Sequence, residues 1–120
     1  MKTSEIIKKA AQKEGYDPEI ALKAASLQIR KQGLMPVQFK DSVMFFKPLA
    51  DGVGYVYFLT ADSPLNALGA FKHFKRNLDK SGIHTVYLDR QNPLILKTLE
   101  RSGIHPVASN LGRYELMAHV

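Results

Sequence analysis

The five residues Tyr55–Leu59, Tyr-Val-Tyr-Phe-Leu, are apolar or aromatic without interruption. A strand with one wet face alternates polar and apolar side chains. A run without alternation therefore predicts a central strand covered on both faces. The next residues narrow the fold further. Asp62 or Ser63 can cap a helix that Pro64 starts, because proline at the first helical position loses no needed donor. Ala67, Phe71, Phe74 and Leu78 then recur at spacings of four, three and four, which makes a single buried stripe. A covered strand running straight into an amphipathic helix predicts an α/β arrangement.

The remaining elements follow from the same grammar. Two helices open the chain. Thr3 or Ser4 caps the first, Ile6, Ile7, Ala10 and Ala11 give its apolar face, and it ends near Gly15. Asp17-Pro18 starts the second, with Ile20, Ala24 and Leu27 as its inner stripe and Gly33 as its stop. From Met35 the stretches "VQF", "SVMFFK" and "GVGYVYFLTA" read as strands, with "PLADGVG" as a hairpin turn. After the long helix, "IHTVYL" is a strand. Asn92 then caps a shorter helix that begins at Pro93, turns Ile95, Leu96 and Leu99 inward and stops at Gly103. "HPVAS" and "YELMAHV" close the chain as a strand hairpin through a tight turn at "NLGR". A length of 120 residues suits one domain over 1–120, with a helical part at 1–34 and sheet and helices at 35–120.

The word "SGIH" occurs twice, at Ser81–His84 and Ser102–His105. Each copy stands where a helix gives way to a strand. A glycine there adopts the left-handed conformation that closes a helix, and the isoleucine after it drops into the core. Two equivalent junctions explain the echo without a ligand. The competing reading, a metal pair at His84 and His105, lacks the nearby acidic or histidine partners that zinc or iron needs. No metal site is expected.

Composition excludes some chemistry. Without cysteine there is no disulfide, thiolate nucleophile or zinc–thiolate cluster. No apolar run is long enough to span a membrane and the N-terminus has no apolar signal core, so a cytoplasmic protein is expected. P-loop, dinucleotide and hydrolase-elbow patterns are missing. The formal charge of +6 invites a nucleic-acid reading. Its densest patch is Lys72, His73, Lys75, Arg76 and Lys80, and a solvated helix face is the plainer account of it. Base stacking finds little support, because Tyr55–Phe58, Phe71 and Phe74 are all claimed by the core.

From Gly54 onward, "GYVYFLTADSPLNALGAFKHFKRNL", "HTVYLDRQNPLILKTLERSGI" and "HPVASNLGRYELMAHV" resemble the second half of the GNAT family of N-acetyltransferases. The resemblance implies an α/β (α+β) domain: a mixed sheet with two N-terminal helices, a βαβ core, and a C-terminal helix plus strand hairpin. It also implies acetyl-CoA as cofactor, if the chain is an enzyme. Backbone groups of Phe58, Leu59, Thr60 and Ala61 would pair with the pantetheine arm. The N–H groups of Leu65–Ala70, including Asn66, Gly69 and Ala70, would receive the pyrophosphate with help from Lys72. Asn92, with Leu99 to Gly103, falls on the family's later helix.

Both chemical motifs depart from the family pattern. The pyrophosphate loop needs small residues so that successive N–H groups approach the phosphates. In one frame Ala67 stands for the expected Gln/Arg, and Lys72 takes the last small place; in the next frame Phe71 takes it. Asp62 adds a negative charge near the helix start. Where many members carry the tyrosine that protonates the leaving thiolate, this chain has Leu99. Tyr87 or Tyr114 could stand in from elsewhere, and Asp41 is the one base that the early strands offer.

The cadence "FLTAD…KHFKRNL…TVYLDRQNPLILKTLERSG" is similar to small internal virion or assembly proteins of tailed phages that look like this fold with an eroded coenzyme loop. That similarity implies a protein partner, in the phage particle or the host, and possible residence in the virion. Three functions follow in order of expectation: a non-catalytic accessory or assembly protein, a divergent acyl-CoA-dependent N-acetyltransferase with its catalytic residues unassigned, and a nucleic-acid binder.

Overall fold

The structure, a computed structural model, describes residues 1–88, 91–108 and 116–119; for 106–108 and 116–119 the description is of the backbone. The chain opens with α1 (Thr3–Lys13) and α2 (Pro18–Gln32). Strands β1 (Met35–Phe39), β2 (Ser42–Ala50) and β3 (Val53–Thr60) follow as two hairpins. Then come α3 (Pro64–Lys80), β4 (Thr85–Leu88), α4 (Pro93–Ser102), β5 (His105–Ala108) and β6 (Leu116–His119). Among the described residues the sheet has six strands, in the order β1-β2-β3-β4-β6-β5. All neighbours are antiparallel except β3 and β4, which α3 connects as a βαβ unit. This is the α/β mixed sheet expected, with its two leading helices and closing hairpin.

Sheet alternation sorts the side chains into two cores. On one face Met44, Val56, Phe58, Val86 and Leu88 meet Phe71, Phe74 and Leu78 of α3 and Ile95 and Leu99 of α4. On the other, Val43 and Phe45 meet Ile6 and Ile7 of α1. β3 is central, yet its two faces are covered unequally. Val56 and Phe58 are fully buried under α3, while Tyr55, Tyr57 and Leu59 are half-buried under the first two helices.

Three expectations about helix faces and caps are corrected. In α2, Leu22, Ala25 and Ile29 pack inward, and Ile20, Ala24 and Leu27 face out. The helix carries apolar side chains on two sides, and periodicity alone does not say which side meets the sheet. Neither Thr3 nor Ser4 caps α1: both lie in its first turn, Lys2 holds the cap position, and the Thr3 hydroxyl bonds Gln38 Oε1 at 3.0 Å. Asp62 does not cap α3 either, because Ser63 holds that position and Asp62 turns toward the β1–β2 hairpin. Asp17 and Asn92 do cap their helices, accepting from Ile20 N–H at 3.0 Å and Ile95 N–H at 2.9 Å.

The repeated word is a repeated junction. Gly82 and Gly103 have φ of 76° and 96°. Ile83 N–H donates back to Leu78 O at 2.9 Å, and Ile104 N–H to Leu99 O at 3.0 Å, which closes both helices alike. Ile104 is fully buried and Ile83 packs against the same core. Neither ring is drawn into a ligand set: His84 Nδ1 bonds Thr85 Oγ1 at 2.8 Å and His105 is exposed. Among the described residues no group of three or more His, Asp or Glu side chains could hold a metal.

This reading predicts an inequality. Gly82→Ala should cost about 1–2 kcal/mol, the price of a side chain in the left-handed region. Gly103→Ala should cost more, because its φ of 96° lies further outside the left-handed well open to L residues; its new Cβ, 3.0 Å from Lys75 Cε, meets only the end of a flexible side chain. Urea melts of the two variants check it. Equal, negligible losses would return the glycines to chance.

Candidate functional site

In open α/β sheets, ligands gather beyond the carboxyl ends of parallel strands. Here that place is the gap between β3 and β4. The two strands pair from Val53–Thr85 to Val56–Leu88, and β3 then continues through Tyr57–Thr60. Alternate N–H groups of β3 face β4, so beyond Val56 the next in that row belongs to Phe58. It points beyond the last paired residue of β4, Leu88, into the wedge between the end of β3 and the start of α4. Both parallel strands lead into helices, α3 at Pro64 and α4 at Pro93, whose first turns flank the wedge.

The chain itself occupies the wedge. Gln91, just before the α4 cap, accepts the Phe58 N–H through Oε1 at 2.7 Å. Gln91 is only 8% exposed. Nearer the outside, Asn92 Nδ2 donates to Glu14 Oε1 at 2.6 Å. Glu14 ends α1 on one face of the sheet and Asn92 begins α4 on the other, so this bond ties the two helical layers together.

The nearby acids are engaged on the other side of β3. Asp62 Oδ2 accepts from Ser42 Oγ at 2.7 Å and from Asp41 N–H at 3.1 Å. Thr60 Oγ1 bonds Ser42 Oγ at 2.7 Å and accepts from Asp62 N–H at 3.0 Å. The Asp41 carboxylate lies 3.2 Å from the N-terminal ammonium. Ser42 is fully buried, so this network fixes the end of β3 to the β1–β2 turn. Neither carboxylate is held toward the wedge.

The other residues singled out in the sequence fall into distinct environments. Phe58 and Ala70 are fully buried, Leu59 is half-buried against the α1–α2 layer, and Ala61 N–H donates to Asp41 O at 2.8 Å. Asn66 and Lys72 are exposed. Gly69, Ala70 and Lys72 lie well inside α3 instead of in a loop before it. Regular helix consumes their N–H groups, and Ala67 N–H already bonds Ser63 O at 2.8 Å. Leu65 and Asn66 are left as first-turn donors, since Pro64 has none. Lys40 Nζ lies 3.7 Å from where a Cβ would stand on Gly69.

Leu99 and Phe71 are fully buried core residues. Phe58 and Phe74 pack at a tilt against Phe71 in the interior, so none of the three offers a surface for nucleobases. Tyr87 is half-buried on β4, and Tyr114 lies outside the described residues with the "NLGR" turn. Among the described residues no helix is long and apolar enough to cross a membrane. Gln91 was not legible as a site residue. Its only sequence signal is a side-chain acceptor immediately before a helix cap, and that has no periodicity to betray it.

No protein-family model and no curated protein matches the sequence. Solved structures do resemble it. A GNAT-family member from Desulfovibrio desulfuricans superposes with a TM-score of 0.56 at 10% identity, over 98% of this chain and 91% of that one. The ribosomal-protein-alanine N-acetyltransferase from Brucella melitensis gives 0.51 at 9% identity, over 87% and 78%. The ribosomal-protein-S18-alanine N-acetyltransferase from Escherichia coli gives 0.50 at 14% identity, over 82% and 75%. At such identities the likeness is one of fold, and the fold is GNAT-like.

Proposed function

We propose that this chain is a GNAT-fold protein that works by binding rather than by acyl transfer, as an accessory or virion-associated protein of a phage or prophage. One observation carries the reading: Gln91 caps the Phe58 N–H inside the wedge. A strand amide that should greet an incoming arm is already satisfied by the protein's own carboxamide. An entering ligand must break that bond and displace a buried side chain. This occupied amide speaks against acetyl-CoA as a resident cofactor of the wedge. Leu99 in the core and helical geometry at Gly69 to Lys72 support the same reading. The phage assignment rests on the cadence of the sequence from Phe58 to Gly103.

A second reading, a divergent N-acetyltransferase using acetyl-CoA, is favoured by the start of α3. Ser63 makes no side-chain cap bond there, and Lys40 brings an ammonium beside Gly69. Uncapped donors with a nearby cation suit a phosphate. Calorimetric titration with acetyl-CoA separates the two. The accessory-protein reading, in which the partner is a protein and not acetyl-CoA, predicts no measurable heat at ligand concentrations up to the millimolar range; a micromolar dissociation constant would favour the enzyme.

A further inference from the structure

We propose that the outward side of α2 is the docking surface for an acidic amphipathic helix of a partner protein. The proposal rests on the reading that the chain works by binding, and gives that binding a place and a chemistry. The inner side of α2 is accounted for by Leu22, Ala25 and Ile29 against the α1 core. The outer side is not. Ile20 is 68% exposed and Leu27 48%, with Ala24 between them and Tyr16, 65% exposed, just before the helix. The spacing Ile20, Ala24, Leu27, Lys31 runs four, three, four, which is the seam of a heptad repeat.

Charge chooses the occupant. If Ile20 and Leu27 take d positions and Ala24 and Lys31 take a positions, Lys23 and Arg30 fall at successive g positions. Flanking charges of this kind set partner choice in paired helices. Lys23, Arg30 and Lys31 form no ion pair among the described residues, whereas Glu19, the acid of α2, is held by Lys8 at 2.9 Å. The seam is thus apolar from Ile20 to Leu27, closes on the ammonium of Lys31, and carries an unanswered positive edge at Lys23 and Arg30. A helix with leucines on its seam and glutamates on its flanks answers both features.

Two other occupants fit less well. A second copy in antiparallel contact would set Lys23 and Arg30 against their own equivalents, and in parallel contact it offers only Gln28. A bilayer would have to lie flat, yet beside Gln28 the surface falls into a groove over Ala25, Ile29, Phe45, Tyr55 and Tyr57. Cations border one flank of the stripe and that groove borders the other.

The test uses the full chain and a 21-residue peptide of three heptads, leucine at a and d, glutamate at e and g. Fluorescence anisotropy is expected to give micromolar affinity at low salt. Ile20→Ser should weaken it about tenfold, and Lys23→Glu/Arg30→Glu by more. A matched peptide with lysine at e and g should ignore the parent protein and bind the charge-reversed variant. All three positions are exposed, so Ile20→Ser should leave the melting temperature unchanged. The charge reversal should lower it by only a few degrees, through the last turn of α2 and the new like charge four residues from Glu19. Absence of peptide binding, or binding indifferent to the charge reversal, overturns the proposal. So does a dimer in light scattering that Ile20→Ser dissolves, or sedimentation with phosphatidylserine vesicles that Ile20→Ser abolishes. Acetyl-CoA titration is independent of all these outcomes, so loss of this surface and loss of the non-catalytic reading are told apart.

Discussion

Replacing Phe58 with alanine is expected to cost about 3–5 kcal/mol, enough to lower the melting temperature by on the order of 15 °C. The ring is fully buried, 5.1 Å from Phe71 and 6.1 Å from Phe74 between centroids. It joins the one parallel strand pair to the helix that connects it. Two effects add: apolar surface returns to water, and a cavity remains because α3 and the sheet cannot collapse onto it. Phe58→Leu should lose less, since most of the volume stays. Guanidinium melts with an unchanged denaturant slope would establish a simple stability effect. A loss below about 1 kcal/mol for the alanine variant would contradict the core described above. The same residue presents its N–H to the wedge, so packing of the ring fixes where that amide points.

Gln91→Met is expected to destabilise by about 1–3 kcal/mol despite nearly equal volume. The cost comes from asymmetry: the methionine thioether is a poor acceptor, so the Phe58 N–H is left buried and unsatisfied. Chemical denaturation measures this directly, and amide exchange at Phe58 should quicken in the variant. Gln91→Ala goes further by vacating the wedge. Acetyl-CoA binding to that variant and not to the parent would identify Gln91 as the sole closure. Binding to neither would mean that the start of α3, with few free donors and Asp62 close by, excludes the phosphates as well.

Much of the architecture was legible because it is locally encoded. The stripe Ala67, Phe71, Phe74, Leu78 is buried as its spacing requires. Proline after a capping residue marks the true starts of α2, α3 and α4. The duplicated "SGIH" is two helix ends built alike, since a left-handed glycine is a property of its own turn. The departures at Leu99 and Phe71 were likewise readable as core positions. Errors arose where two local answers were equally good. α2 has an apolar stripe at Ile20, Ala24 and Leu27 and another at Leu22, Ala25 and Ile29. Asp62 is as good a cap as Ser63 until the β1–β2 turn claims its carboxylate.

By itself, the sequence determined the order of the elements, the starts of α2, α3 and α4 and the glycines at which they stop. It assigned Pro48–Gly54 to a turn, whereas β2 runs on to Ala50 and β3 resumes at Val53, leaving Asp51 and Gly52 between them. Only the tertiary structure decided which side of α2 meets the sheet and that Gln91 seals the wedge beside Phe58. The reason is range. Helical and strand periodicities act over three or four residues and are written in adjacent side chains. A bond between Phe58 and Gln91 joins residues 33 apart in the chain, and it forms only once packing of the helices on the sheet has set the start of α4 beside the end of β3.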